Sequence, residues 1–206
     1  MGERFLVLDR RIERFREVLV RRQKDLVLFV DNVKNEHNFS ALIRTCDAVG
    51  VMRILYYYEG RKDVPINESI TLGSERWVFL ERVQDRTGKL KDLKDTGFQI
   101  VVTWLGEDSV DFREADYTKP TVLVVGNELM GVSEEVLPLA DLRVKIPMFG
   151  MAGSLNVSVA TGIILYEAQR QREEKGMYDR PTLSEEEIER IIGKWAFEDV
   201  IRRKRS

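Results

Sequence analysis

The residue types that most often build metal and redox centres are nearly missing from this 206-residue chain, which has one cysteine and one histidine. Cys46 has no second cysteine to pair with. With His37 as the lone imidazole, no Cys/His cluster can form, so a structural zinc site is excluded and no metal is expected. Long apolar runs are missing too. No stretch approaches the ~18 consecutive apolar residues of a membrane span, and MGERFLVLDRRIERF lacks the basic-then-apolar order of a signal peptide. We therefore expect a cytoplasmic protein with no membrane partner. Nor is there excess charge: 33 basic against 35 acidic residues leave a net −2, so bulk electrostatics give no pointer to a polyanion. Internal repeats and low-complexity tracts are absent as well.

What is present describes one globular domain with short appendages, 43% apolar and 33% charged. Met1 to Lys24 holds eight basic residues against four acids, and the chain ends in Arg202, Arg203, Lys204 and Arg205. Phe5, Leu8, Ile12, Phe15 and Leu19 recur at helical spacing in the first of these segments. This predicts an amphipathic helix with its arginines outward, either a solvated face or a phosphate-contacting arm. Short β-branched runs then alternate with helical patterns: LVLFV at Leu26, SALIRTCDAVG, RILYY at Arg53, WVFLERV, GKLKDLKDTG, FQIVVTW, TVLVV at Thr121 and LRVKIP. The alternation predicts an α/β fold with a mostly parallel sheet covered by helices on both faces. Asn156 to Gln171 reads as a long helix, apolar nearly all round in its first half, to be buried within the chain or against a second subunit. Ser184 and Glu187 have the spacing of a capping box that opens a last helix.

In such a sheet, ligands bind beyond the carboxyl ends of the strands, and three loops there stand out. The first runs from Asn32 through His37, Asn38, Arg44 and Thr45. Asn38 is either a helix cap or a functional amide, and Arg44, six residues on, is expected near the same helical face, where both could meet one ligand and Arg44 offers a fork of donors for phosphate. A lone histidine such as His37 is more often structural or solvent-facing. The second loop, Gly126-Asn-Glu128-Leu-Met-Gly131-Val-Ser133, imitates a phosphate-binding loop, but Val132 stands where its lysine must be, which excludes a nucleotide triphosphatase. Glu128 could be a plain surface carboxylate, and Ser133 the cap of a short helix. The third, Ile146 to Asn156, combines Gly150 and Gly153 with Met148, Phe149 and Met151, a surface suited to an adenosine-like ligand. Ser154 or Asn156 is expected to cap the long helix.

Taken in order, these loops resemble the three motifs of the SpoU/TrmH family of RNA ribose 2′-O-methyltransferases, in the SPOUT class. Those motifs are Asn38 to Gly50, Leu123 to Val132, and Ile146-Pro147 through Ser154-Leu155-Asn156 to Ala160. The resemblance spans about Leu26 to Gln171. It implies S-adenosyl-L-methionine as cofactor, a C-terminal trefoil knot, and a homodimer whose partner subunit completes the active site. By position it implies cofactor contacts at Thr103, Gly126, Ile146, Met151 and Leu155, largely through backbone groups. Asn38, Arg44, Glu128, Ser154 and Asn156 form the catalytic and substrate-orienting set. The terminal helices resemble those of the branch that methylates a guanosine in the tRNA D-loop region, with Arg11, Arg14 and Arg22 as RNA contacts. The implied organisation is a basic N-terminal helix (1–24), a catalytic domain (25–175) and a C-terminal helical extension (176–206). Rival readings are another RNA substrate (rRNA or the tRNA anticodon region), base methylation, and a non-catalytic RNA-binding homologue.

Methyl transfer to a ribose hydroxyl requires positioning and activation of a weak acid. A guanidinium is a poor proton acceptor, so Arg44 is expected to orient a phosphate and stabilise developing alkoxide charge. Glu128 is expected to orient Arg44 or to take a proton through water.

Overall fold

The computed structural model describes residues 2–60 and 66–203, with side chains given for 9–60 and 66–201. The basic tail from Arg202 and the residues Arg4, Phe5 and Leu8 of the first helix's pattern lie outside the described side chains. Seven strands, β1 (Gln23–Asp31), β2 (Val51–Tyr57), β3 (Phe79–Arg82), β4 (Gln99–Thr103), β5 (Val110–Asp111), β6 (Thr121–Gly126) and β7 (Leu142–Lys145), form one sheet. Its order is β3-β2-β1-β6-β4-β7-β5, and every pairing is parallel. Strands buried on both faces carry unbroken apolar runs. β1 and β6 fit that rule, with Leu26 to Val30 and Val122 to Val125 at 0–1% exposure. The two-residue β5 was not expected, being too short to show a period.

Helices α2 (Glu36–Ala48) and α5 (Val157–Glu174) cover one face, where Phe39, Leu42, Ile43, Ile164 and Leu165 pack on Leu28, Val30 and Leu123. The other face is closed by Leu90 and Leu93 of α4 (Arg86–Asp95), with Val132 and Val136. A third cluster joins the termini. Phe15 and Leu19 of α1 (Gly2–Leu19) pack with Ile188, Ile191, Ile192 and Trp195 of α6 (Glu185–Arg203). The rings of Phe15, Trp77 and Trp195 meet pairwise at 5.1–5.5 Å. The first helix is therefore docked rather than free. α6 opens on the expected box: Ser184 Oγ accepts from Glu187 N, and Glu187 Oε2 accepts from Ser184 N.

Two arginines lie inside this frame. Arg172 is fully buried and donates to Asp25 Oδ1 at 2.6 Å, Gln23 Oε1 at 2.9 Å and the Tyr117 carbonyl at 2.8 Å, tying the end of α5 to the sheet. Arg22 corrects an expectation, since it is 1% exposed rather than a surface RNA contact. Its guanidinium donates to the Asp47 carboxylate and to the carbonyls of Asp47, Val51 and Trp77. A position just before a buried strand draws the side chain inward, where bonding is the alternative to a large desolvation cost. Arg11 is partly exposed and pairs with Asp199 at 2.7 Å. Arg14 presents its guanidinium mainly to water beside Glu17. No helix among the described residues is long and apolar enough to cross a membrane.

Candidate active site

Chain order reverses between β1 and β6, and ligand crevices form at such switch points. The first loop leaves β1, the second leaves β6, and the third leaves β7. Asn35, not Asn38, caps α2, its Oδ1 accepting from His37 N at 2.9 Å and Asn38 N at 3.1 Å. That frees the Asn38 amide. At the other side Asn156 caps α5, its Oδ1 accepting from Ser158 N at 2.9 Å. Because a backbone N–H can only donate, this bond fixes which end of the Asn156 amide is oxygen. Asn156 Nδ2 must then donate to Asn38 Oδ1, at 3.0 Å, and Asn38 Nδ2 donates to Glu128 Oε1 at 2.8 Å. One polarised chain, Asn156 to Asn38 to Glu128, thus joins all three loops.

Arg44 stands apart. Six residues advance a helix by about 600°, leaving Asn38 and Arg44 about 120° apart, so the expected shared face is corrected. Arg44 is exposed, and its Nη1 donates to the Ile70 carbonyl at 3.3 Å. Glu128 bonds Asn38 in place of the expected Arg44. His37 is solvent-facing, 3.8 Å from Glu36.

Beside the chain lies a cavity of about 570 Å³, within the ~300–1,000 Å³ of small-molecule sites. Thr103, Gly126, Glu128, Ile146, Ser154, Leu155 and Asn156 line it. Met151, by contrast, is fully exposed and outside the lining, so its expected contact is not formed within this chain. Sequence reasoning missed Asn127, Lys145 and the α5 residues Val157, Ala160 and Ile164, which also face the cavity. Helical periodicity through Val157, Ala160 and Ile164 was the available signal.

Gly126 has no room for a side chain. A Cβ there would lie 2.2 Å from Gly131 C and Val132 N, because the loop folds back on itself. Asn127 and Gly131 exchange two backbone hydrogen bonds of 2.9 Å. Asn127 Oδ1 accepts from the amides of Leu129 and Met130, and its Nδ2 donates to the Asn32 carbonyl at 3.0 Å. Gly131 takes φ +71, a left-handed turn that favours glycine. The helix expected to be capped by Ser133 is only a 3₁₀ turn at Leu137–Leu139. Instead, Ser133 N donates to Asp31 Oδ2 at 2.8 Å, and among the described residues its buried hydroxyl has no hydrogen-bond partner.

An open parallel α/β sheet with a small-molecule cavity at its switch point, floored by glycine and edged by an amide–carboxylate chain, defines a nucleotide-type ligand protein without a metal cluster among the described residues. Comparison with known proteins is specific. Residues 25–166 match the model of the SpoU rRNA Methylase family, and residues 170–206 match the "SpoU, rRNA methylase, C-terminal" model. The chain belongs to the SpoU rRNA methylase family. It is 66% identical over 201 residues, 98% of this chain and 95% of the relative, to a tRNA (guanosine(18)-2′-O)-methyltransferase of Aquifex aeolicus. A crystal structure of the A. aeolicus TrmH/SpoU tRNA modifying enzyme superposes with a TM-score of 0.91 at 67% identity, covering 94% of this chain and 98% of that one. An AdoMet-bound rRNA methyltransferase from Sinorhizobium meliloti gives 0.65 at 34% identity, covering 76% of this chain and 59% of that one.

Proposed function

We propose that this chain is an S-adenosyl-L-methionine-dependent methyltransferase that forms 2′-O-methylguanosine at position 18 in the D-loop of tRNA. The observation that carries the reading is the Asn156–Asn38–Glu128 chain at the edge of a cavity of the right size, built from all three motifs at once. The cavity suits the cofactor: Gly126 lets the loop fold back so that backbone from Gly126 to Gly131 forms one wall, and Ile146, Leu155, Val157 and Ile164 supply apolar walls for an adenine. When bound, S-adenosyl-L-methionine supplies an electrophilic methyl group on a sulfonium.

The residues of the chain then divide the work. Thr103, Gly126, Ile146 and Leu155 hold the cofactor. Asn156 and Asn38 aim Glu128, whose remaining oxygen accepts the ribose 2′-hydroxyl proton, directly or through water. Ser154, exposed on the cavity rim, offers a hydroxyl to the ribose. Arg44 orients a substrate phosphate and stabilises the developing alkoxide.

Because Arg44 does not line the cavity of its own chain, this role belongs to a homodimer in which it serves the partner's site. The stripe Val159, Ile163 and Tyr166 along α5, 37–54% exposed, is the apolar face a second copy would cover. The C-terminal trefoil knot, the three-part organisation (1–24, 25–175, 176–206), RNA contacts by Arg11 and Arg14, and a cytoplasmic location go with this reading. Incubation with methyl-labelled cofactor and bulk tRNA, then digestion to nucleosides, should yield labelled 2′-O-methylguanosine. Label on a base, label only in rRNA, or no transfer would overturn it.

A further inference from the structure

Asp31 ends β1 outside the three motifs and is 1% exposed. A buried carboxylate is tolerated only with partners. Its Oδ1 accepts from Arg86 Nη1 at 3.1 Å, and its Oδ2 from Ser133 N at 2.8 Å. Arg86, at the start of α4, also donates from Nε and Nη2 to Glu135 Oε2 at 3.1 and 3.0 Å, and lies over the Tyr57 ring at 4.7 Å. Burial works against the Arg86 charge, but bonds with Glu135 and Asp31 more than offset it and raise its pKa.

These contacts clasp the second loop at both feet. Gly126 is the register partner of Asp31 in the β1–β6 pairing, while the Asp31 side chain holds Ser133, seven residues on. Gly126, at one foot, and the five residues from Asn127 to Gly131 between the feet all belong to the cavity wall. We propose that Arg86, acting through Asp31, is a positioning residue for cofactor binding that keeps the 126–133 loop in the shape the cavity requires. The proposal rests on the cavity being the S-adenosyl-L-methionine site. Without Arg86, the Asp31 carboxylate is left buried beside a single amide and relaxes toward water, drawing Ser133 and the loop with it. The Glu135 carboxylate is 66% exposed, so water can take its place beside Arg86 when it is removed.

The test uses the full chain, with titration calorimetry for S-adenosyl-L-methionine, thermal melting, steady-state kinetics on tRNA and amide hydrogen exchange. Arg86→Met should raise the cofactor Kd tenfold or more and speed exchange at Gly131 and Ser133, and kcat should fall with it because Glu128 rides on the same loop, while the KM for tRNA stays within threefold. Arg86→Lys, which keeps the charge but not the fork, should raise Kd two- to fivefold. Glu135→Gln should stay within twofold. Leu93→Ala, which loosens α4 from the sheet, should lower the melting temperature yet leave Kd within twofold. A Kd for Arg86→Met within twofold of the parent, or an equal rise in Leu93→Ala, overturns the proposal. Should Arg86→Met fail to fold, an unchanged Kd in Arg86→Lys overturns it. A parent protein that binds no cofactor instead defeats the functional reading, and the exchange at Gly131 and Ser133 then decides the clasp alone.

Discussion

Replacing Gly126 by alanine tests the cavity floor most directly. The new methyl would sit 2.2 Å from Gly131 C and Val132 N, both backbone atoms that cannot rotate away. To restore ordinary contact near 3.4 Å, the 131–132 backbone must retreat by about 1.2 Å, a strain of the kind that costs about 1–3 kcal/mol in a packed site. At about 2–4 °C per kcal/mol for a chain of this size, the melting temperature should fall by about 2–12 °C. The retreat also separates Asn127 from Gly131 and misplaces backbone groups that line the cavity. Losing one or two hydrogen bonds at about 1 kcal/mol each, plus that misfit, corresponds to about a ten- to hundredfold weaker Kd. Calorimetry with S-adenosyl-L-methionine and a melting curve would measure both. Gly153→Ala is the control, since nothing lies within 4 Å of its Cβ position. Unchanged affinity and melting temperature in Gly126→Ala would refute the steric reasoning, as would an equal loss in Gly153→Ala.

Other expectations follow from the same contacts. Arg44→Lys keeps the charge but loses the forked donors, so kcat should fall about 10–100-fold, the worth of one charge-assisted hydrogen bond, with cofactor Kd unchanged; near-parental turnover would remove Arg44 from its assigned role. Arg14→Ala should raise the KM for tRNA several-fold without touching cofactor binding, because its side chain is exposed; an unchanged KM at low salt would separate α1 from RNA. The Asp111 carboxyl is held by the Arg113 guanidinium at about 2, below its ordinary 3.8. A depressed folded-state pKa makes its contribution complete above pH 4 and lost as pH falls through about 2. Acid-unfolding curves of Asp111→Asn should therefore converge on the parent at the acid end, and curves offset equally at every pH would count against the pair.

Much was legible because periodicity reports burial. The runs at Leu26, Arg53, Phe98 and Thr121 are strands, and Ser184 opens a helix, because each signal depends on neighbours within one turn or one strand. Docking of α1 on α6 was not legible. The same Phe15 and Leu19 spacing describes a free amphipathic arm equally well, and only Trp77 and Trp195, distant in sequence, decide between them. Arg22 failed for a related reason: an arginine's charge is visible in sequence, while the carbonyls and carboxylate that solvate it inside come from residues 47, 51 and 77.

At the site the division is the same. Sequence by itself determined the residue types, their order after β1, β6 and β7, and the family they resemble. Only the tertiary structure decided that Asn35 caps α2 and releases Asn38, that Asn156 and Glu128 meet it from either side, and that Arg44 turns away. It also decided that Asp31 and Arg86 clasp the loop between. Hydrogen bonds join atoms near in space, and residues 38, 128 and 156 become near only when parallel strands bring three loops to one edge.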